Sequence, residues 1–212
     1  MKNKCMILLA LLAVMTSCVK TKQYSLSDEV KGWFVDSDKR EFTFRDENGL
    51  ERRFHVQEPN VQIMDESSSF LLVTTDKAER ESIFQYGYPD YSLSFYVGIT
   101  AGWGNEANVD DSFVIGLGDA TFTLSLNGKT FTPVSCSDSN NAGSPQIDFS
   151  SELLDSFEVD GVSYADVLHI ELIDCDLMSS RFYPTELYYA KYYGLIQYTL
   201  NHDIEYYRLA AE

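Results

Sequence analysis

The chain has 212 residues with 16 basic and 33 acidic side chains, a formal net charge of −17 at neutral pH. A body this acidic repels polyanions such as nucleic acid and anionic lipid headgroups, so we exclude nucleic-acid partners. The length is typical of one domain or of two small ones.

The N-terminus is basic and then apolar. Lys2 and Lys4 precede an uncharged run from Met6 to Met15. Such a run spans about 15 Å as a helix, half of a bilayer core, which is too short for a transmembrane helix. The pattern is typical of a signal peptide, which is removed from the mature protein.

The next residues, Met15-Thr16-Ser17-Cys18, resemble the lipobox of bacterial lipoproteins, with Met15 in place of the usual leucine. The resemblance implies that residues 1–17 are a lipoprotein signal peptide. It also implies that Cys18 becomes an acylated N-terminus, and several acyl chains anchor a protein stably to a membrane. The alternative is an ordinary signal peptide in which Cys18 has no special role. Cleavage before Cys18 leaves 14 basic and 33 acidic side chains, a net charge of −19.

The mature chain is predicted to consist of a tether and one domain. Residues 18–29 are polar without periodicity, which predicts a lipidated N-terminus followed by a flexible tether. Residues 30–212 alternate β-branched and aromatic with polar residues at period two, interrupted by Gly, Asn and Asp. This pattern predicts a single mostly-β domain.

Three hairpins have readable registers. In the first, a three-residue loop ending at Gly49 avoids placing like charges opposite each other. In the second, Asn127-Gly128 is a strong signal for a tight turn. The predicted cross-strand pairs are Phe42 with Phe54 and Arg45 with Glu51 in the first hairpin, Leu124 with Phe131 in the second, and Tyr198 with either Tyr206 or Tyr207 in the third.

The remaining elements are short. About ten strands or more at short spacing predict an all-β fold, a single antiparallel domain with few short helices. Its architecture is either a β-sandwich or a strongly curved, partly closed sheet. Further strands are predicted at Gly32–Val35, Phe70–Thr74, Ile83–Tyr86, Ser92–Ile99, Ser112–Leu117 and Leu168–Ile173, and short helices at Asp76–Ser82 and Ser150–Ser156.

Two cysteines remain in the domain once Cys5 is removed with the signal peptide and Cys18 is acylated. In an oxidising cell envelope, the even pair Cys136 and Cys175 predicts a disulfide. It would close a loop of about 40 residues and stabilise the fold by roughly 4 kcal/mol in the chain-entropy model. The alternative is two buried thiols.

Two C-terminal segments resemble small secreted lipoproteins of the Bacteroidetes. Residues 157–168, FEVDGVSYADVL, resemble an nGxxYxxV pattern of that group, and residues 188–198, YYAKYYGLIQY, resemble its YYAKGxGLVKY ending. Tyr192 stands where the group often has glycine. The resemblance implies a Bacteroidetes-type cell-envelope lipoprotein of uncharacterised function, and it transfers no site residues.

The sequence after Cys18 bears on which side of the membrane the protein faces. In this group, acidic residues just after the lipidated cysteine resemble a signal for export to the cell surface. Residues 19–27 contain no acid. The resemblance therefore implies a lipid-anchored, periplasm-facing protein, with the cell surface as the alternative.

No catalytic or metal-binding motif stands out. The histidines His55, His169 and His202 are not at metal-ligand spacing, and no G-x-S-x-G nucleophile motif occurs. We predict no metal and no cofactor. Because acidic residues are plentiful, a carboxylate pair for hydrolysis stays open as the alternative function.

An aromatic cluster is the strongest candidate for a binding site. Tyr86, Tyr88 and Tyr91 lie close together in the sequence, and Trp103 lies in a nearby loop. Exposed aromatic rings stack on sugar rings and occur at protein interfaces. The alternative is that these tyrosines are half-buried at sheet edges. The sequence thus predicts a non-enzymatic binding or assembly module for a protein, glycan or hydrophobic ligand, with a carboxylate-dependent envelope hydrolase as the alternative.

The lipid anchor makes a direct prediction. Cys18→Ala in the full chain should release the protein from membranes, because the acylated residue is lost. Membrane fractionation and intact-mass measurement check this. If the variant stays in the membrane fraction and the wild-type mass shows no acyl chains, the anchor is contradicted.

Overall fold

The computed structural model describes residues 20–70, 73–89, 93–103, 110–138, 148–173, 183–200 and 204–210. In these ranges the chain forms a one-turn helix, α1 (Asp28–Lys31), a 3-10 turn at Ser37–Lys39, and one sheet of fourteen strands. No helix among them has the length and apolar character needed to cross a membrane. The strands are β1 (Thr21–Tyr24), β2 (Glu41–Asp46), β3 (Glu51–Val56), β4 (Asn60–Phe70), β5 (Val73–Pro89), β6 (Phe95–Thr100), β7 (Asp111–Leu117), β8 (Ala120–Asn127), β9 (Thr130–Asp138), β10 (Phe149–Val159), β11 (Val162–Leu172), β12 (Pro184–Ala190), β13 (Gly194–Leu200) and β14 (Ile204–Arg208).

The sheet curves until its two edges nearly meet. Its strand order is β10-β11-β12-β13-β14-β2-β3-β5-β6-β7-β8-β9. Across the seam between β9 and β10, the Ser151 hydroxyl donates to the Phe131 carbonyl at 3.3 Å, and the Phe122 and Phe149 rings lie 5.3 Å apart. The predicted all-β single domain is confirmed, and of the two predicted architectures the chain adopts the curved, nearly closed sheet.

The long strand β5 belongs to two parts of the sheet. Its second half lies in the barrel, and its first half forms a side arm with β1 and β4. Its second half pairs with β6 on one edge and with β3 on the other. Its first half pairs with β4 on the β3 edge and, in parallel, with β1 on the β6 edge. This differs from the flexible tether predicted for residues 18–29, because backbone pairing already holds the chain from Thr21 onward.

The segment after β1 enters the interior of the barrel, and we call residues 26–36 the interior segment. The Ser27 hydroxyl accepts a hydrogen bond from the Val30 amide at 3.3 Å and caps α1, which ends where Gly32 begins a turn. Trp33, Phe34 and Val35 follow and are buried in the same core as the barrel strands. The predicted strand at Gly32–Val35 is therefore wrong, because these apolar residues fill the barrel as a turn.

Trp33 contacts strands on both sides of the seam between β9 and β10. Its ring lies 4.9 Å from Phe131, 6.1 Å from Phe113 and 6.3 Å from Tyr189. Phe113 and Phe131 belong to β7 and β9, which flank β8 near one end of the strand order, and Tyr189 belongs to β12 near the other end. The Tyr189 hydroxyl also donates to the Trp33 carbonyl at 2.6 Å. A strongly curved sheet needs a filling of close-packed side chains, and this segment supplies part of it.

Gln85 holds the same segment by its backbone. The fully buried side-chain amide of Gln85 accepts from the Val35 N–H at 2.8 Å and donates to the Val35 carbonyl at 3.2 Å. It also donates to the Gln57 carbonyl at 3.1 Å. Buried polar groups require such partners, so one side chain satisfies backbone groups of two segments.

Two of the three predicted hairpin registers agree with the structure. In the first, Phe42 pairs with Phe54 and Arg45 with Glu51, as predicted. In the third, the structure selects Tyr206 as the partner of Tyr198, and their rings stack at 4.9 Å.

The second hairpin was predicted two residues out of register. Leu126, not Leu124, pairs with Phe131. The turn residues are Gly128-Lys129, and Gly128 has a φ of +59°. Glycine is favoured at the first central position of such a turn. A slip of two residues keeps every side chain on its predicted face.

Three further element predictions are wrong. The helices predicted at Asp76–Ser82 and Ser150–Ser156 are parts of β5 and β10, because cross-strand pairing outweighs local helix propensity. The strand predicted at Phe70–Thr74 belongs to two strands. Phe70 ends β4, Val73 begins β5, and the two are register partners.

Replacing Gln85 tests how much the interior segment depends on it. Gln85→Met keeps the side-chain volume but leaves the Val35 amide and carbonyl without their partner. The free energy of unfolding should fall by about 3 kcal/mol in urea titration. Gln62→Met, at an exposed position on β4, should change it by less than about 0.5 kcal/mol. Equal effects at both positions would contradict the role given to Gln85.

Candidate functional site

A hollow of about 800 Å³ opens where β2 and β3 face the C-terminal segment. A second hollow of about 420 Å³ continues it along β2 and β3 toward His55. We call the two together the cationic groove. It is lined by Asp38, Lys39, Glu41, Phe42, Thr43, Arg45, Glu51, Arg53, Phe54, His55, Val162, Tyr164, Tyr193, Arg208, Leu209 and Ala210.

The first hairpin supplies the floor of the groove. Side chains alternate between the two faces of a strand, and Phe42, Phe44 and Phe54 belong to the barrel core. The intervening residues of β2 and β3 therefore point outward, and of these Thr43, Arg45 and Arg53 line the groove. Two inward residues, Phe42 and Arg208, line it as well. Thr43 lies opposite Arg53 in the middle of this outer surface.

Strand β11 and the turn at residues 191–193 supply the opposite wall. The Tyr164 ring on β11 meets the Tyr193 ring edge-on at 5.1 Å. The turn at residues 191–193 is tied to the interior segment, because the Tyr192 amide donates to the Gly32 carbonyl at 2.7 Å and its carbonyl accepts from the Asp36 amide at 3.1 Å. Tyr192 has a φ of +67°, which is uncommon for a residue other than glycine.

Two of the four cations in the groove are held by carboxylates. The Lys39 ammonium lies 2.9 Å from Asp36, and Arg45 lies 2.7 Å from Glu51. The hydrogen bond to Asp36 raises the pKa of Lys39. The Lys39 ammonium also lies 4.3 Å from the centre of the Tyr193 ring, within the range of a cation–π contact.

The other two cations, Arg53 and Arg208, have no carboxylate partner among the described residues. Arg53 is exposed on the outer face of β3. Arg208 is only 7% exposed. It donates to the Tyr193 carbonyl at 2.6 Å and to the Lys39 carbonyl at 3.4 Å, and its guanidinium lies 4.1 Å from the centre of the Phe42 ring.

Burial shapes the electrostatics around Arg208. Desolvation lowers the pKa of the Arg208 guanidinium, and the groups that act against this lowering are the tyrosines Tyr164 and Tyr193. Desolvation also raises the pKa of Tyr164. Because arginine starts from a very high pKa and tyrosine from about 10, the guanidinium stays charged and the phenol stays neutral near pH 7.

The predicted aromatic cluster is only partly brought together. Tyr86 and Tyr88 are 40% and 52% exposed and share the outer face of β5. Tyr88 is the register partner of His55, at the end of the groove. Trp103 follows β6 at its far end, where Thr100 pairs with Ser82, so it lies roughly 20 Å along the strands from the two tyrosines.

Three other predicted site residues lie outside the described residues: Cys18, Tyr91 and Cys175. The lipidation of Cys18 therefore stays a prediction. Cys136 is buried on β9, and its disulfide with Cys175 also stays a prediction. His202 falls outside the described ranges as well.

His169 forms a separate polar cluster on the outer face of the sheet. Its ring stacks on Tyr188 at 4.4 Å, and its two nitrogens lie 3.2 Å from Glu152 and 2.9 Å from Glu186. Burial, followed by the hydrogen bond to Glu186, raises the pKa of Tyr188. The described part of the chain contains no group of three or more His, Cys, Asp or Glu side chains placed to hold a metal ion.

The residues that define the groove were missed from sequence. Arg208 ends a strand in which Tyr206 faces the core, so alternation places Arg208 on the inward side as well. An arginine at an inward position is unusual and would have been the available signal. Tyr164 and Tyr193 carried no such signal among the many tyrosines.

Comparison with protein-family models, with curated proteins and with solved structures gives no match for this chain.

Proposed function

We propose that the protein is a lipid-anchored cell-envelope binding protein, not an enzyme, and that its ligand occupies the cationic groove. The observation that supports this most is that two arginines without a carboxylate partner among the described residues line the same groove of a strongly acidic chain. Arg53 is exposed and Arg208 is buried. Ligand sites combine a concave apolar surface with a few placed polar groups. The rings of Phe42, Tyr164 and Tyr193 supply the apolar part.

The position of the groove suits a protein anchored by its N-terminus. Thr21, three residues after Cys18, pairs with Lys77 near the start of β5. His55, at one end of the groove, pairs with Tyr88 near the end of β5. The two pairs are roughly 35 Å apart along the strand. A ligand in the groove would therefore approach the protein far from the lipid anchor.

The exposed tyrosines of β5 extend the same surface. Tyr88 lies beside His55, and the Tyr86 ring lies 6.2 Å from the ring of Tyr96 on β6. Aromatic rings next to arginine side chains provide stacking surfaces for planar groups and for sugar rings. A ligand longer than the groove would continue along this aromatic strip.

The alternative of a carboxylate-dependent hydrolase needs two acids facing each other across a cleft at roughly 5–10 Å. The acidic residues that line the groove are Asp38, Glu41 and Glu51. Glu51 is bound to Arg45, and Glu41 lies 3.3 Å from His55. The binding function is favoured because two arginines of the groove, Arg53 and Arg208, have no carboxylate partner among the described residues.

Filling the groove tests the proposal. Thr43→Trp places a large ring on the groove floor and should remove ligand binding. The matched control is Thr123→Trp on β8, a half-buried threonine on the outer face of another part of the barrel. The measurement is equilibrium dialysis of the purified chain against an envelope extract of small molecules and saccharides, read by mass spectrometry.

The expected result is that the wild type and Thr123→Trp concentrate the same compounds at least about ten-fold more than Thr43→Trp does, since a blocked pocket loses most contacts of a small ligand. Circular dichroism and urea titration establish that both variants are folded. If Thr43→Trp concentrates the same compounds as the wild type, the groove is not the ligand site.

A further inference from the structure

We propose that the groove binds one anionic oxygen group of its ligand, a carboxylate or a sulfate or phosphate, directly on the guanidinium of Arg208. This inference rests on the proposed function and names the chemistry of the ligand. It is derived from the partners of Arg208 and from the groups that surround it.

The charge of Arg208 lacks a counter-charge. A buried ionic group normally has an oppositely charged partner, because removing it from water is costly. Arg208 is 7% exposed, yet within the described ranges it forms no ion pair with Asp or Glu. Its protein partners are two backbone carbonyls, of Tyr193 and Lys39, and the ring of Phe42.

The guanidinium still has donors to offer. It carries five N–H groups in a planar fork, and the two carbonyls accept from two of them. The fork matches the two oxygens of a carboxylate or the edge of a sulfate or phosphate. Since Arg208 lines the groove, an anion that enters the groove can reach these donors.

Tyr164 supplies a second donor at the same place. It is 4% exposed and lines the groove beside Tyr193. Its hydroxyl forms no hydrogen bond with any described residue, and it does not belong to the fully buried polar atoms without a partner, so it is accessible from the groove. An anion on Arg208 would accept a hydrogen bond from this hydroxyl.

The rest of the groove limits how much negative charge the ligand carries. Asp38, Glu41 and Glu51 line the groove, and the mature chain has a net charge of −19. These charges repel a polyanion over its length, whereas a single anionic group held at Arg208 is compensated locally. The inferred ligand therefore has one anionic group on an otherwise uncharged body.

Arginine side-chain NMR tests this on the unacylated chain of residues 19–212, which contains every described residue. Sodium acetate and sodium sulfate are titrated at constant ionic strength against sodium chloride. We expect a saturable shift of the Arg208 Nε–Hε signal with acetate, sulfate or both, and a smaller, non-saturating shift for Arg53. Tighter binding of acetate identifies a carboxylate ligand, and tighter binding of sulfate identifies a sulfate or phosphate.

Two variants keep the test specific. Tyr164→Phe retains the ring and should weaken the anion affinity about ten-fold, because a hydrogen bond to a charged group is lost. Tyr24→Phe, the same change at a half-buried tyrosine of β1 outside the groove, should leave the affinity within about two-fold. Urea titration checks that both variants are folded.

The inference is overturned if the Arg208 signal responds to acetate and sulfate no more than to chloride, or if Tyr164→Phe binds like the wild type. Failure here differs from failure of the proposed function. If anions leave Arg208 unaffected while Thr43→Trp still abolishes capture of envelope compounds, the groove binds a neutral ligand.

Discussion

The hydrogen bonds between the Gln85 side chain and the backbone of Val35 hold the N-terminal segment inside the curved sheet. A sheet that nearly closes on itself encloses a volume that must be filled at the density of a protein interior. Trp33 fills part of it and contacts strands on both sides of the seam between β9 and β10. Without this segment the barrel would retain a large cavity, and large cavities in a core are strongly destabilising.

The same segment also builds the groove. After Val35, the Asp36 amide donates to the Tyr192 carbonyl, which fixes the turn that carries Tyr193. The Tyr193 carbonyl in turn accepts from Arg208. Lys39, three residues after Asp36, contacts the Tyr193 ring and offers its carbonyl to the same guanidinium. The position of Arg208 therefore depends on how firmly the interior segment is held.

Local sequence rules predicted the strands where turns and charges determine the pairing. The register of the first hairpin followed from avoiding like charges, and the structure has the predicted pairs. The predicted register of the second hairpin was wrong by two residues. The prediction places the turn at Asn127-Gly128 itself, whereas in the structure Asn127 ends β8 and the turn is Gly128-Lys129. The helices predicted at Asp76–Ser82 and Ser150–Ser156 failed since strand pairing across the sheet overrode local propensity.

These local rules could not predict the groove, because its residues come from distant parts of the chain. Lys39, Arg53, Tyr164, Tyr193 and Arg208 are brought together by sheet closure and by the interior segment, neither of which leaves a local pattern. The predicted aromatic cluster failed in the same way at Trp103, since proximity in sequence did not give proximity along the strands. Tyr86 and Tyr88 share one exposed surface because they are two residues apart on the same strand.

The dependence of the barrel and groove on the interior segment is tested most directly by native-state hydrogen exchange. The account predicts that the amides of Val35 and Asp36 exchange only through global unfolding, with the same free energy as amides in the central strands β6 and β7. Exchange of Val35 and Asp36 with an opening free energy near zero, while β6 and β7 stay protected, would contradict the account.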